Sequence, residues 1–148
     1  MAVRVQAGDF DVGAEIEALA AGRTEIGAVV SFTGLVRGPG AALELEHYPG
    51  MTEAALAKVE AEAGTRWPLL ASLIIHRFGA LAPGDRIVLV AAASPHRHAA
   101  FEAASFMMDY LKTDAPFWKR EVAADGTARW VDAREGDDAA KARWGAAS

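Results

Sequence analysis

Between Arg86 and Lys112 the chain reads "RIVLVAAASPHRHAAFEAASFMMDYLK", and its pattern changes character at Ser94-Pro95. Before that point "RIVLVAAAS" has the apolar, β-branched make-up of a strand. After it, Phe101, Ala104, Met108 and Leu111 recur at helical spacing, with His98, Glu102, Ser105, Asp109 and Lys112 as a polar stripe beside them. Serine is a favoured N-cap and proline suits the first helical position, so the spacing predicts a helix from Pro95 to about Lys112. His96 and Lys112 are then separated by roughly 24 Å at ~1.5 Å per residue. Groups at the two ends of such a helix cannot touch one small molecule.

The remaining segments supply both kinds of element. Val3 and Val5 alternate with polar neighbours over residues 2–6, and Asp11 caps a helix carrying Val12, Ile16 and Leu19, ended by Gly22. "IGAVVSFTGLVR" (26–37) reads as a buried strand running out at Gly38-Pro39-Gly40. "ALELEHY" (42–48) alternates strictly, with Leu43, Leu45 and His47 on one face. An alanine-rich helix runs from Thr52 to about Arg66 and stops at Pro68; "LLASLIIHRF" is a strand, and "APGD" (82–85) is the turn before Arg86. "FWKREV" and "ARWVDA" make a hairpin around Asp125-Gly126, followed by a short polar helix from about Asp137 to Trp144. These elements alternate too irregularly for a doubly wound fold. The expectation is one α+β domain over residues 1–148.

Charge and composition exclude several functions. A net charge of −5 argues against general affinity for nucleic acid or for an anionic membrane, so any anion must be held by a local cluster. No segment approaches the ~18 apolar residues of a membrane span, and "MAVRVQAGDF" lacks the apolar run of a signal peptide, which predicts a cytoplasmic protein. With no cysteine, the chain has no disulfide, thiolate metal ligand or persulfide chemistry of its own.

Two local basic clusters stand out. His96 and Arg97 lie at a helix start, where free N–H groups attract anions. His96 and His98 do not make a metal site, because helical side chains two apart point roughly 200° from each other. The second cluster is "DYLKTDAPFWKRE" (109–121). Lys112 suits a helix C-terminus and has Asp109 three residues back as a possible partner. Lys119, on a strand, shares a face with Phe117 and Glu121, opposite Trp118 and Arg120. A lysine beside an aromatic ring and near a second lysine is in a setting where desolvation and like-charge repulsion favour proton release. Arg37, at the mouth of the Gly38-Pro39-Gly40 loop, is a third cation. His47 and His76 fall on strands and read as structural.

The motifs "FTGLVR" (32–37), "LEHYPGMTE" (45–53), "IHRFG" (75–79), "PGD" (83–85), "HR" (96–97), "FEA…MMDYLKT" (101–113) and "APFWKRE" (115–121) occur in the order seen in the large, catalytic subunit of molybdopterin synthase. The chain resembles that family from about residue 26 to 144. The resemblance implies a hammerhead-type α+β fold and a homodimer flanked by two small ubiquitin-like sulfur-carrier subunits, together a heterotetramer. It implies conversion of a cyclic pyranopterin monophosphate to molybdopterin, with sulfur arriving as a thiocarboxylate on the small subunit's C-terminal glycine. No cofactor or metal is implied. Carried over residue by residue, the functional positions are Arg37, His96, Arg97, Lys112 and Lys119, with Arg120 and Glu121 beside the last and Arg134 less central. Lys112 and Lys119 take the catalytic roles; Arg37, His96 and Arg97 are expected to hold the phosphate. The chain departs from the family at Leu35 and Asp114, where basic residues are common, and in a shorter loop after Arg37.

The residues fit that reading independently. A sulfur-inserting enzyme without cysteine must be supplied by another protein, and the ending "RWGAAS" lacks the Gly-Gly tail of a carrier. The rival expectation is a non-catalytic module that docks a partner's C-terminal tail through Lys112 and Lys119. Such a module has no need of the second anion site at His96 and Arg97.

Overall fold

The computed structural model describes residues 1–40, 42–123, 125–131 and 135–145. In chain order the elements are β1 (Ala2–Gln6), α1 (Val12–Ala20), β2 (Ala28–Leu35), β3 (Ala42–His47), α2 (Met51–Arg66) and β4 (Ala71–Arg77). There follow β5 (Gly79–Leu81), β6 (Arg86–Ser94), α3 (Arg97–Asp114), β7 (Phe117–Val122), β8 (Ala128–Val131) and α4 (Glu135–Gly145). The strands form two four-stranded sheets, ordered β1-β4-β6-β2 and β5-β3-β7-β8. β1 runs parallel to β4; the other pairs are antiparallel. This is the α+β class the sequence predicts.

The first sheet is covered on both faces, and strand alternation decides which residue goes where. Ile74, Val88, Val90 and Ala92 meet Leu56 and Val59 of α2 and Phe106 and Met107 of α3. Leu73, Ile75, Leu89 and Ala91 point the other way, packing with Phe10 and α1. Two-sided burial is why β4 and β6 read as unbroken apolar runs. The second sheet is tied on by a much smaller cluster, Val36, Leu45 and Leu81 backed by Leu43, Phe78 and Ile87. At roughly 1.5–3 kcal/mol per fully buried large aliphatic side chain, the first sheet carries most of the stability and the second is the more weakly anchored.

Two sequence expectations need correction, and one strand goes unforeseen. β2 is not a buried strand: it pairs with β6 on one side only and ends the sheet, leaving Phe32 44% and Leu35 56% exposed. α3 starts two residues later than Ser94-Pro95 predicts. Ser94 is the last residue of β6, paired opposite Ala28, while its carbonyl accepts from Gly27 N–H at 3.0 Å. Sheet pairing therefore outcompetes its capping role, and His96 becomes the N-cap. Gly27 is required at this junction, since a Cβ there would stand 2.0 Å from the Pro95 carbonyl oxygen. Finally, β5 has only three residues, too short to leave a periodic signal.

β6 and β2 run antiparallel, with Ala28 opposite Ser94 and Leu35 opposite Arg86. α3 then returns along the sheet. The C-terminal end of α3 and the residues after β2 thus lie at the end of the first sheet where β6 begins, and the start of α3 lies at the other.

Candidate active site

Only four residues separate Lys112 from Phe117, and their geometry is fixed from both sides. The Ala115 N–H returns to the Leu111 carbonyl at 3.3 Å, closing α3, and Phe117 N–H donates to the Ala115 carbonyl at 3.0 Å, opening β7. Thr52, fully buried, clips this turn to a distant part of the chain. Its hydroxyl donates to the Pro116 carbonyl at 2.9 Å and accepts from the Tyr48 N–H at 2.9 Å. α2 itself is anchored there by Gly50 N–H donating to the Glu53 carboxylate at 3.0 Å. One side chain thus ties together the end of β3, the start of α2 and the α3–β7 turn.

β7 pairs with β3, placing Phe117 opposite His47 and Lys119 opposite Leu45. Phe117 and Lys119 share a face, as the alternation predicts, while Trp118 is 51% exposed on the other. Phe117 stacks on the ring of His76 of β4, centroids 3.8 Å apart and planes 23° apart. That stack is a direct contact between the second sheet and the end of the first. It brings Lys119 toward the sheet end where Lys112 closes α3.

The carboxylates near this end are occupied by α4. Asp109 accepts from Arg143 at 3.0 Å and from the Trp144 indole N–H at 2.6 Å, so the expected Asp109–Lys112 pairing is replaced. Asp114 accepts from Lys141 at 2.6 Å. Lys112 stays exposed at the helix end, its charge not offset by either neighbour. Arg37 is exposed just past β2, where Val36 N–H donates to the Asp85 carbonyl at 2.9 Å. Arg37 therefore belongs to the same end of the sheet as Lys112.

His76, read from the sequence as structural, is buried where the two sheets meet. It is 4% exposed, and its Nδ1 lies 2.8 Å from the Arg77 carbonyl oxygen. Its pKa is lowered to about 4: burial is the main cause, the Arg77 hydrogen bond opposes it, and the charges of Lys119 and Lys112 add to the lowering. Both lysines are close enough to repel a proton from this ring. The clue in the sequence is a histidine ending the otherwise apolar "LLASLII" run. Thr52 left no such clue, because a helix-start threonine has many local uses.

Other expected site residues lie apart. His96 and Arg97 are exposed at the N-terminus of α3, about 22 Å along the axis from Lys112 at ~1.5 Å per residue. Within one chain, Arg37 is at the opposite end of the sheet from them, so a phosphate pocket of all three does not form in a single subunit. Arg120 projects from the face opposite Lys119, pairing with Glu44 at 2.8 Å and lying 5.7 Å from the Trp130 ring centroid. Glu121 is on the face of Lys119 and pairs with Arg129 at 2.9 Å. Arg134 lies outside the described residues. Among the described residues no group of three or more histidine, cysteine or acidic side chains is placed to hold a metal. A groove of about 460 Å³ lined by residues 44–47 and 78–80 carries Glu44 and Glu46 and no lysine or arginine, which suits an anion poorly.

Comparison with known proteins identifies the family and the fold. The family model described as "MoaE protein" matches residues 5–114. The molybdopterin synthase catalytic subunit of Ralstonia nicotianae is 61% identical, covering 97% of this chain and 84% of that protein. A solved molybdopterin biosynthesis MoaE protein from Burkholderia ambifaria superposes with a TM-score of 0.85 at 58% identity, covering 97% of both chains. A Helicobacter pylori structure, described as a protein–protein complex of subunits 1 and 2 of molybdopterin-converting factor, has a TM-score of 0.73 over 90% of each chain; at 20% identity it speaks to the fold alone. Among the described residues no helix is long and apolar enough to cross a membrane. With near-complete coverage at this level of identity, the chain belongs to the MoaE family of molybdopterin synthase catalytic subunits, enzymes of molybdenum cofactor biosynthesis.

Proposed function

We propose that the chain transfers sulfur from the thiocarboxylated C-terminus of a small ubiquitin-like subunit to a cyclic pyranopterin monophosphate, using Lys112 and Lys119. The observation that carries this reading is the convergence of the two lysines at the α3–β7 turn while Asp109 and Asp114 are engaged by α4. Lys112 receives the anionic thiocarboxylate and assists release of the spent carboxylate. Lys119 acts on the pterin side, moving protons or offsetting developing negative charge; such groups contribute ~10²–10⁴ in rate. Arg37 binds the phosphate from the same end of the sheet, as a planar donor suited to it.

His96 and Arg97 complete the phosphate pocket from a second copy of the chain, in a homodimer that binds two small subunits. The distance along α3 supports a shared site, because the same subunit's His96 cannot reach the lysines. Surface chemistry supports a dimer as well. The edge strand β2, paired with β6 on one side only among the described residues, carries exposed Phe32 and Leu35, and α3 carries Phe101, 61% exposed. The small subunit is supported by the absence of cysteine, which leaves the sulfur to be supplied by another protein.

The test is turnover of the cyclic pterin with a thiocarboxylated small subunit. Dithiolene product should form with the thiocarboxylate and not with the plain carboxylate form. Removing the carrier's last two residues should abolish transfer; undiminished transfer would sink the reading.

A further inference from the structure

α4 has little apolar surface with which to hold itself against the core. Among its described side chains, residues 139–145, Trp144 is the one large apolar group. The indole meets Phe106 and Trp67 edge-on, with centroids 5.6 Å away in both cases, and the Trp144 carbonyl accepts from Arg66 at 3.0 Å. Three donors of α4 then reach α3. Arg143 donates to Ser105 at 2.6 Å and to Asp109 at 3.0 Å. The Trp144 indole N–H donates to the same Asp109 oxygen, Oδ2, at 2.6 Å, and Lys141 donates to Asp114 at 2.6 Å.

The choice of acceptors matters for Lys112. Asp109 lies three residues before it on the polar stripe of α3, a spacing at which an acid and a base on one helix pair. That pairing would draw the Lys112 ammonium back along the helix and offset its charge. Asp109 instead turns to α4, and neither it nor Asp114 is paired with Lys112. Lys112 alone against two aspartates would leave this end of α3 negative; Lys141 and Arg143 reverse the sign. In a chain of net charge −5, a local reversal of this kind decides how well an anion is received. Largely exposed ion pairs add little to stability, so their main effect is on the field around Lys112.

We infer that Arg143 and Trp144 are positioning residues that act through Asp109: by engaging its carboxylate they keep it off Lys112, whose charge is left for an incoming anion. Lys141 does the same at Asp114. A plain structural clasp would use the same bonds, but the two roles differ in what Asp109 does once its donors on α4 are gone. A positioning role sends it to Lys112; a clasp leaves Lys112 untouched. The inference rests on the proposed role of Lys112, and its test separates the two.

The first arm uses the free full-length chain and trinitrobenzenesulfonate, an anionic reagent for amines. Labelling of Lys112 is followed by peptide mass spectrometry against Lys58, an exposed lysine of α2. Arg143→Met/Trp144→Phe removes both donors to Asp109 and keeps an aromatic ring in the cluster. It should slow labelling of Lys112 about fivefold relative to Lys58, the scale on which one exposed ion pair acts, and adding Asp109→Asn should restore the wild-type rate. A Lys112 rate indifferent to the double substitution, or one that stays slow after Asp109→Asn, overturns the inference. The second arm uses turnover with the thiocarboxylated small subunit. The same double substitution should lower kcat/KM for that subunit about fivefold, and Asp109→Asn should recover most of the loss. A clasp predicts the opposite, because losing Asp109 as well loosens α4 further; a deeper loss in the triple variant overturns the inference. If the double variant fails to fold, Arg143→Met alone, at a side chain 57% exposed, carries both arms with a smaller effect of the same sign. Should the wild-type chain turn over no pterin, the proposed function fails while the labelling result stands.

Discussion

At the scale of single residues, stability and function should separate cleanly at Lys112. It is exposed, and its favourable position at the end of α3 is worth only ~0.3–1 kcal/mol. Lys112→Ala should therefore melt within a few degrees of wild type yet lose most sulfur transfer; retention of more than half the turnover would make it structural. Lys119→Ala should act similarly, with turnover reduced more than pterin binding. His76 makes a different prediction. Unfolded, a histidine binds a proton below about 6.5, whereas the buried ring resists one until about 4. Between those values the unfolded state holds the extra proton, so stability falls as pH is lowered through the window, by on the order of 3 kcal/mol. Urea midpoints for wild type and His76→Phe should thus converge or cross between pH 6.5 and 4; parallel pH curves would show that the ring titrates normally. Glu60 works in the opposite sense. Burial raises its pKa despite hydrogen bonds from Ser72 and the Ala2 N–H, so its ionised form is the one that opposes folding, above its ordinary range. Glu60→Gln, with an oxygen still able to accept, should leave stability at neutral pH unchanged or higher.

At the scale of elements, the site depends on how α3 is turned into β7, and Thr52 is the fastener. Thr52→Val keeps the shape and removes both hydrogen bonds, leaving the Tyr48 N–H and the Pro116 carbonyl without their partner. Unsatisfied polar groups of this kind cost roughly 1–3 kcal/mol each when buried. Thr52→Val should lower the melting temperature and should cut turnover beyond what that loss explains, because the two lysines are hung from this turn; normal kcat in the folded variant would show the turn holds without it. Local signals made much of this legible. Asp11 caps α1 as its position suggests, accepting from Ala14 N–H at 3.0 Å, and the hairpin turns at Asp125-Gly126, where Gly126 has φ 88°. The same-face relation of Phe117 and Lys119 follows from strand periodicity alone. What stayed hidden was long-range. The hydrophobic content of "IGAVVSFTGLVR" does not reveal that β2 ends its sheet, and Ser94 carries the chemistry of a cap while serving as a strand residue. Thr52 and His76 owe their importance to Pro116 and Phe117, 64 and 41 positions further along the chain.

At the scale of the whole molecule, the same helix that organises the core also separates the two basic clusters. Lys112 and Arg37 lie at one end of the first sheet, with Lys119 of the second sheet brought toward it by the Phe117–His76 stack, and His96 and Arg97 lie at the other end, about 22 Å away along α3. If they serve one substrate, they must come from different copies, and a two-fold dimer would generate two equivalent composite sites. Complementation tests this directly. A His96→Ala/Arg97→Ala protein and a Lys112→Ala protein should each be inactive alone, since each spoils both sites of its own dimer. Mixed dimers have one site with both defects and one site with neither. Random exchange makes about half the dimers mixed, so up to roughly a quarter of wild-type activity should return. Exchange has to be followed separately, by mass-tagging one variant, so that a slow dissociation is not mistaken for a negative result. If tagged and untagged subunits are seen to share dimers and activity stays absent, the site is built within one chain, and His96 and Arg97 serve some other anion.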